Sequence, residues 1–325
     1  MPPPQADWHQ ELASAFRRTG DLLQFLKIEG FARSAQAERD FPTLVTRHYA
    51  ERMQAQNRHD PLLLQVLAQG AETLDVPGFG ADPVGDSLAV RTEGVLQKYR
   101  GRVLVMPTGA CAIHCRHCFR RAFPYADLHT QGLPGRLERY LDEHEDVEEV
   151  ILSGGDPLLL EDLALKDLLG VIGRAARVKR LRIHTRIPLV LPSRFTPELM
   201  SLLASPTQEK IFVVHANHAQ ELCAQSASAF ATLRATGWTL LNQSVLLRGV
   251  NDSAQVLADL AHKLLAQGVL PYYLHQLDRV QGAAHFEVPI AEGLRIMKEL
   301  GAMLPGYLVP RYVQEIAGEA GKTLL

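Results

Sequence analysis

Cysteine is scarce in this chain, with 4 in 325 residues. That is too few for a disulfide framework at this size. An excess of charge of either sign is also missing: 34 Lys and Arg face 36 Asp and Glu, a net charge of -2. This excludes the basic surface that a non-specific nucleic-acid binder uses to displace counterions. One basic stretch, Arg174 to Arg186, spans an expected helix end and the next strand, and reads as a solvated face. No apolar run reaches the ~18 residues of a membrane span. The opening Met-Pro-Pro-Pro-Gln-Ala-Asp-Trp lacks the basic and apolar regions of a targeting signal. A soluble, cytoplasmic protein is expected. There is no repeat of fixed period, and no low-complexity tract beyond the three opening prolines. Gly78, Gly80 and Gly85 lie in a Pro/Gly/Asp-rich link at 76–86, but lack the G-x-G-x-x-G spacing and follow no strand. A dinucleotide fingerprint is therefore rejected.

What is present is an ordinary globular mix, 46% hydrophobic and 22% charged. At ~150 residues per domain the length suits two domains, or one barrel-sized domain with additions. Residues 1–95 carry apolar residues at three- and four-residue spacing in segments such as 8–16, 20–28 and 62–67, and are expected to be helical. From about residue 100 short apolar or β-branched runs alternate with helical stretches. Strands are expected at 102–107, 149–152, 180–185, 210–215, 239–246 and 271–275, with a less regular one at 307–313. Helices are expected near 133–145, 161–176, 197–204, 220–236, 253–267 and 290–300. This alternation predicts a parallel α/β sheet with right-handed crossovers. Polar residues stand at nearly every strand end: the cysteine loop, Ser153 to Pro157, His184-Thr185-Arg186, His215-Ala216-Asn217, Asn242-Gln243-Ser244 and His275 to Asp278. A (β/α) barrel gathers such ends on one face, whereas an open doubly wound sheet concentrates them at switch points. With six clear units, the expectation is a partial (β/α)6 TIM-like barrel over 96–315. An N-terminal helical region (1–95) precedes it and a short tail (316–325) follows.

The densest chemistry is Cys111-Ala-Ile-His-Cys115-Arg-His-Cys118, a C-x3-C-x2-C array directly after the first barrel strand. Three thiolates on one loop suit three corners of a [4Fe-4S] cube. With no fourth cysteine nearby, the fourth iron would be left for a small-molecule chelator. Cys223 lies in an expected helical stretch and reads as a buried free thiol. Two alternatives stay open on spacing alone. One is a zinc site using His114 or His117 as fourth ligand, although structural zinc sites usually draw ligands from two segments. The other is a redox pair at Cys115 and Cys118, which leaves Cys111 without a role.

The cysteine loop resembles that of the radical SAM superfamily. Ser153-Gly154-Gly155-Asp156-Pro157 resembles the glycine motif that contacts the methionyl amino group of S-adenosylmethionine; glycine permits close backbone approach. Further segments are similar to the lysine 2,3-aminomutase family over nearly the whole chain. They are Cys115-Arg-His-Cys118-Phe-Arg120-Arg121, Asn242-Gln-Ser-Val-Leu-Leu-Arg-Gly-Val-Asn-Asp252 and Gly318-Glu-Ala-Gly-Lys322. The compact length is most similar to the branch that makes β-lysine for elongation factor P.

The resemblance implies an isomerase with three cofactors: a [4Fe-4S] cluster, S-adenosylmethionine and pyridoxal 5′-phosphate (PLP). It implies that Cys111, Cys115 and Cys118 bind the cluster, and that Lys322 holds PLP as a Schiff base from a flexible, glycine-flanked tether. Lys98, Tyr99 and Arg102 fall where the family binds the PLP phosphate, with Lys98 standing in place of an arginine. Arg120 matches the arginine that pairs with the substrate carboxylate. Asp278 and Glu315 match the acidic pair that holds the substrate ε-ammonium. His215, Asn217 and Gln243 are candidates for positioning S-adenosylmethionine. The implied reaction is a radical 1,2-amino shift from L-lysine to β-lysine. The implied partners are an electron donor such as flavodoxin or ferredoxin, with a functional link to elongation factor P and its lysyl ligase. Arginine as substrate, or a non-catalytic iron–sulfur or zinc module docking on a translation factor, are the competing readings. The chain departs from the family by Glu315 in place of Asp, by Gly-Glu-Ala-Gly-Lys in place of a glycine run, and by ending three residues after Lys322.

Overall fold

The structure, a computed structural model, describes residues 7–125 and 130–325; the three opening prolines lie outside them. One sheet of ten strands runs in the order β1 to β10. An antiparallel pair, β1 (Val90–Thr92) and β2 (Val95–Tyr99), leads into β3 (Arg102–Val105). From β3 the strands are parallel: β4 (Glu149–Leu152), β5 (Arg180–Thr185), β6 (Glu209–Val214), β7 (Trp238–Val245), β8 (Leu270–His275) and β9 (Arg311–Gln314). The six expected units are there. The expected strand at 307–313 is a short turn of helix followed by β9.

The sheet is curled. Ten strands laid flat would place β2 about 34 Å from β9, at ~4.8 Å per strand. Instead the Tyr99 hydroxyl at the end of β2 donates to Glu315 just past β9, at 2.6 Å. The result is a barrel with one open seam, where no ladder joins β1 to β10 among the described residues.

Strand alternation decides what faces each side. On β4, Val150 and Leu152 are fully buried under the helices while Glu149 and Ile151 are half-buried. On β5, Leu181, Ile183 and Thr185 are buried while Arg180, Arg182 and His184 are not. The partly accessible row faces inward, so the barrel encloses a polar channel rather than a packed interior. The outer layer is helical: α7 (Leu133–Glu143), α8 (Asp162–Arg174), α9 (Ile187–Val190), α10 (Pro197–Ala204), α11 (Ala224–Ala235), α12 (Ala254–Ala266) and α13 (Ile290–Met303). α8 shows why they dock: Leu165, Leu168, Leu169 and Ile172 recur at helical spacing and are buried. The 174–186 stretch divides by the same rule. Arg174, Arg177 and Lys179 make outer ion pairs with Glu138, Glu145 and Glu148, and Arg180, at the start of the inward row, also reaches Glu148. Arg182 and Arg186 turn inward, onto Glu149 and Glu221.

The N-terminal region is helical only in short pieces. They are α1 (Trp8–Ala13), α2 (Thr19–Phe25), α3 (Ala35–Asp40), α4 (Arg47–Ala50), α5 (Pro61–Leu64) and α6 (Asp86–Ala89). Asp7, Ser34, Thr46 and Asp60 cap first turns with their side chains. α3 stops before Phe41, which precedes Pro42. After these pieces, residues 79–86 form a strap across the seam. Gly80 exchanges backbone hydrogen bonds with Arg279 (3.0 Å) and Gln281 (2.9 Å) beyond β8. Gly85, in the left-handed region at φ 68°, passes so close to Ala317 that a Cβ would lie 3.2 Å from its methyl group. The C-terminal tail is anchored: β10 (Thr323–Leu324) pairs antiparallel with β9. Lys322 thus precedes a sheet strand rather than riding on a free tether.

Candidate active site

The cysteine loop leaves the C-terminal end of β3 and is fixed from two sides. On the barrel side, the Gly155 amide donates to the Thr108 carbonyl (2.9 Å) and the Asp156 amide to that of Ala110 (2.7 Å). A Cβ on Gly155 would lie 2.2 Å from the Ala110 oxygen, and Gly154 sits at φ 109°. Only glycine lets the two loops meet there. On the N-terminal side, the His114 amide donates to Leu44 and the Arg116 amide to Gln65. The fully buried Arg116 guanidinium clamps Glu72 and the carbonyls of Phe41 and Ala37.

These restraints leave Cys111, Cys115 and Cys118 as half-buried free thiols. Burial and the neighbouring sulfurs hold Cys111 well above its ordinary pKa and push Cys118 up to about 11. Cys111 and Cys118 therefore need an added positive centre to ionise. No group of three or more His, Cys, Asp or Glu side chains among the described residues gathers tightly enough for a single ion. His114 Nδ1 meets the Pro42 carbonyl and His117 Nε2 the Asn217 amide, while His117 Nδ1 is buried without a partner; neither ring gathers with the three thiols into a single-ion site among the described residues. The donor set fits a cluster that spreads three sulfurs over three irons. Arg186 donates to Cys115 Sγ at 2.6 Å. Cys223 lies apart, as the N-cap of α11 rather than within it, 3.7 Å from His48.

Beside the loop, His184, His215, Gln243 and His275 line the channel. Gln243 Nε2 lies 2.8 Å from His215 Nε2 and 3.3 Å from His184 Nδ1. Burial lowers all three imidazoles, His215 to about 3 and the others well below the usual range, so they are neutral at physiological pH. His184 Nε2 and His275 Nε2 are buried without a partner. Unpaired buried nitrogens are rare unless a ligand meets them, and this wall fits a polar, uncharged group such as a nucleoside.

Other expected residues are bonded within the protein. Asn217, 3% exposed, accepts from the Val245 amide and donates to Gln65. Both Asp156 oxygens accept from the Thr185 hydroxyl (2.7 and 2.8 Å), and one also from the Arg186 amide. Burial still raises this carboxyl to about 6. Pro157 is buried at the start of the following turn. Ser153 accepts from Arg120 Nη1 at 3.3 Å.

At the seam the charges alternate. Arg120 Nε meets Asp86 Oδ2 at 2.6 Å, and Asp86 Oδ1 meets Lys98 Nζ at 2.6 Å. Lys98 Nζ lies 3.6 Å from Glu315 Oε1, and Glu315 Oε2 meets Lys322 Nζ at 2.5 Å. Arg102 stacks on the Tyr99 ring at 4.4 Å, with its Nε buried and unpartnered. Asp278 makes no hydrogen bond or ion pair through its carboxylate among the described residues. Burial pushes it up to about 7, with the Lys322 charge opposing and Glu315 reinforcing. Cations without full counter-charge at Arg102, Lys98 and Arg120 suit anionic groups. Asp278 is an open carboxylate suited to an ammonium.

No family model matches the chain. Among curated proteins, the L-lysine 2,3-aminomutase of Escherichia coli is 44% identical over 329 residues, covering 99% of this chain and 95% of that one. The chain belongs to the L-lysine 2,3-aminomutase family. The Haemophilus influenzae member is 42% identical, over 98% of this chain and 96% of its own. That of Clostridium subterminale is 32% identical, over 98% and 77%. Among solved structures, a radical SAM methyltransferase from Sphaerobacter thermophilus aligns over 67% of this chain and 68% of its own, with 16% identity and a TM-score of 0.49. A lysine 2,3-aminomutase is an isomerase of the radical SAM class, using S-adenosylmethionine and an iron–sulfur cluster. No helix among the described residues is long and apolar enough to cross a membrane.

Several residues that line this channel and seam are not legible as such in the sequence. His184 and His275 appear only as polar strand ends. Asp86 falls in a link that reads as a spacer. Arg186 falls in a basic stretch that reads as a solvated face. The inward parity of His184 with Arg182 on β5 was the one available signal.

Proposed function

We propose that this chain moves the amino group of L-lysine from Cα to Cβ while a hydrogen passes from Cβ to Cα, giving β-lysine. The observation that carries this reading is the meeting of Lys322, Glu315, Asp278 and Arg120 around one channel beside the cysteine loop. Each end of a lysine molecule finds a matching charge: Arg120 for the carboxylate, Asp278 and Glu315 for the ε-ammonium. A glutamate side chain would be repelled by that acidic pair.

Cys111, Cys115 and Cys118 would hold the [4Fe-4S] cluster. His215, Gln243, His184 and His275 would meet S-adenosylmethionine beside Ser153 and Gly154. Lys322 would hold PLP covalently, with Lys98, Tyr99 and Arg102 at its phosphate. When bound, the reduced cluster with S-adenosylmethionine supplies a radical hydrogen abstractor, and PLP supplies a π-system that delocalises the unpaired electron. The residues fix the substrate by both ends, so that Cβ faces one cofactor and the α-amino group the other.

Identity to the Escherichia coli and Haemophilus influenzae relatives exceeds that to the Clostridium subterminale protein by ten percentage points or more. This supports placement in the compact branch, with (R)-β-lysine as the product for modifying elongation factor P and flavodoxin or ferredoxin as electron donor. The test is anaerobic reconstitution, followed by chiral product analysis with free L-lysine, S-adenosylmethionine, PLP and a reductant. L-arginine runs in parallel. β-Lysine should form; an intact cluster without β-lysine refutes the reading, and an arginine product alone transfers it to that substrate.

A further inference from the structure

Asp86 belongs to neither the cysteine array nor a strand, yet it is 1% exposed and its carboxylate lies between two cations. It starts α6 at the end of the strap. Its amide donates to Asp82 Oδ1 at 2.8 Å, while Gly85 before it packs on Ala317. The strap therefore delivers one carboxylate from the N-terminal region across the open seam.

We propose that Asp86 is a positioning residue for the aminomutase reaction, one oxygen orienting Arg120 and the other Lys98, so that a single carboxylate sets the substrate-carboxylate holder and the cofactor-phosphate holder together. The inference rests on the roles given above to Arg120 and Lys98. The geometry is specific. Asp86 Oδ2 takes the Nε edge of Arg120 at 2.6 Å, which leaves the two Nη groups directed elsewhere, Nη1 touching Ser153 at 3.3 Å. A guanidinium fixed at Nε presents its terminal fork, the part that grips a carboxylate in bidentate fashion. Asp86 Oδ1 forms an ion pair with Lys98 Nζ at 2.6 Å, and Lys98 donates its hydrogen bond to the Val84 carbonyl on the same strap at 2.8 Å. A lysine is a point charge on a flexible stem, so two acceptors on one strap decide where that charge sits. Asp86 is the nearest counter-ion of both cations; Glu315 stands farther from Lys98, at 3.6 Å, and is itself held by Lys322, so positive charge is left over for incoming anions. Without Asp86 both cations are left less neutralised in a buried site and repel each other.

The test uses the full chain, reconstituted with cluster, comparing wild type with Asp86→Asn and Asp86→Glu. PLP affinity is read from the absorbance of the covalently held cofactor. KM and kcat for lysine are read separately, and iron content and thermal midpoint report on the fold. In Asp86→Asn, KM for lysine and the PLP dissociation constant should both rise about 10-fold or more, with iron content unchanged. Asp86→Glu should recover part of both. Arg120→Lys should raise KM strongly in wild type and add little on top of Asp86→Asn, because the two act as a unit. Unchanged KM and PLP affinity, or simple additivity with Arg120→Lys, overturns the proposal. If Asp86→Asn does not fold, Asp86→Glu alone decides: it keeps the charge but moves it by one methylene, so both constants must rise, and a variant matching wild type overturns it. Failure of the wild type to bind PLP or convert lysine is seen before any variant is made; it refutes the functional reading and removes the basis of this inference.

Discussion

Tyr99 and Glu315 are 216 positions apart in the chain, yet the phenol donates to the carboxylate at 2.6 Å across the barrel's open seam. Glu315 also receives Lys322 at 2.5 Å and faces Lys98 at 3.6 Å. Burial raises this carboxyl, but Lys322 and the Tyr99 hydrogen bond outweigh it and hold it below the ordinary value. Glu315 is thus an anion that holds the chain's own Lys322; under the proposed roles, Lys322 bound to PLP would release it for the substrate's ammonium. Glu315→Gln should raise KM for lysine by about 10-fold or more. Tyr99→Phe should lower the thermal midpoint by about 1–3 °C through loss of one partly buried hydrogen bond. Steady-state kinetics and a thermal melt check these.

Lys322→Ala should abolish the absorbance of covalently held PLP and take β-lysine formation below detection, while leaving iron content at the wild-type level. Persistence of that absorbance in the variant would move the cofactor to another lysine.

Asp278 gives a pH dependence with a definite sign. Its native pKa of about 7 lies above the unfolded value near 3.9. The native state therefore binds the proton more tightly, and stability falls as pH rises from about 4 to 7, then levels off. Asp278→Asn should raise the thermal midpoint more at pH 8 than at pH 5. The substrate ammonium needs the ionised form, so KM for lysine should climb below pH 7, approaching ten-fold per unit. In Asp278→Asn KM should be high and flat across this range.

Gly155→Ala should damage the cluster rather than the substrate site. The added methyl meets the Ala110 oxygen at 2.2 Å, which is backbone and gives way only by moving the cysteine loop. A cost of about 1–3 kcal/mol is expected for such overpacking, with sub-stoichiometric iron after reconstitution. Full iron loading in this variant would show that the loop accommodates the shift.

Much of the architecture was legible because it is written in short-range periodicity. The strands at 149–152 and 180–185 and the helix at 197–204 agree with the structure to the residue, since apolar alternation and a Thr-Pro start are local signals. The cysteine spacing likewise marked a metal or redox loop, and the resemblance chose the cluster among those readings. What escaped was too short to show a period: the β1–β2 hairpin, the two-residue β10, and the helices α3 and α4, each held by a side-chain cap.

By itself the sequence determined a parallel α/β alternation, a three-thiol loop at the first crossover and a polar strand-end face. These depend on neighbours a few residues away. Only the tertiary structure decided which charges meet. Arg120 finds Asp86 over 34 positions and Arg186 finds Cys115 over 71, because a curled sheet turns one row of side chains inward and a strap crosses the gap. Such pairings belong to the closure of the sheet, and no run of adjacent residues encodes them.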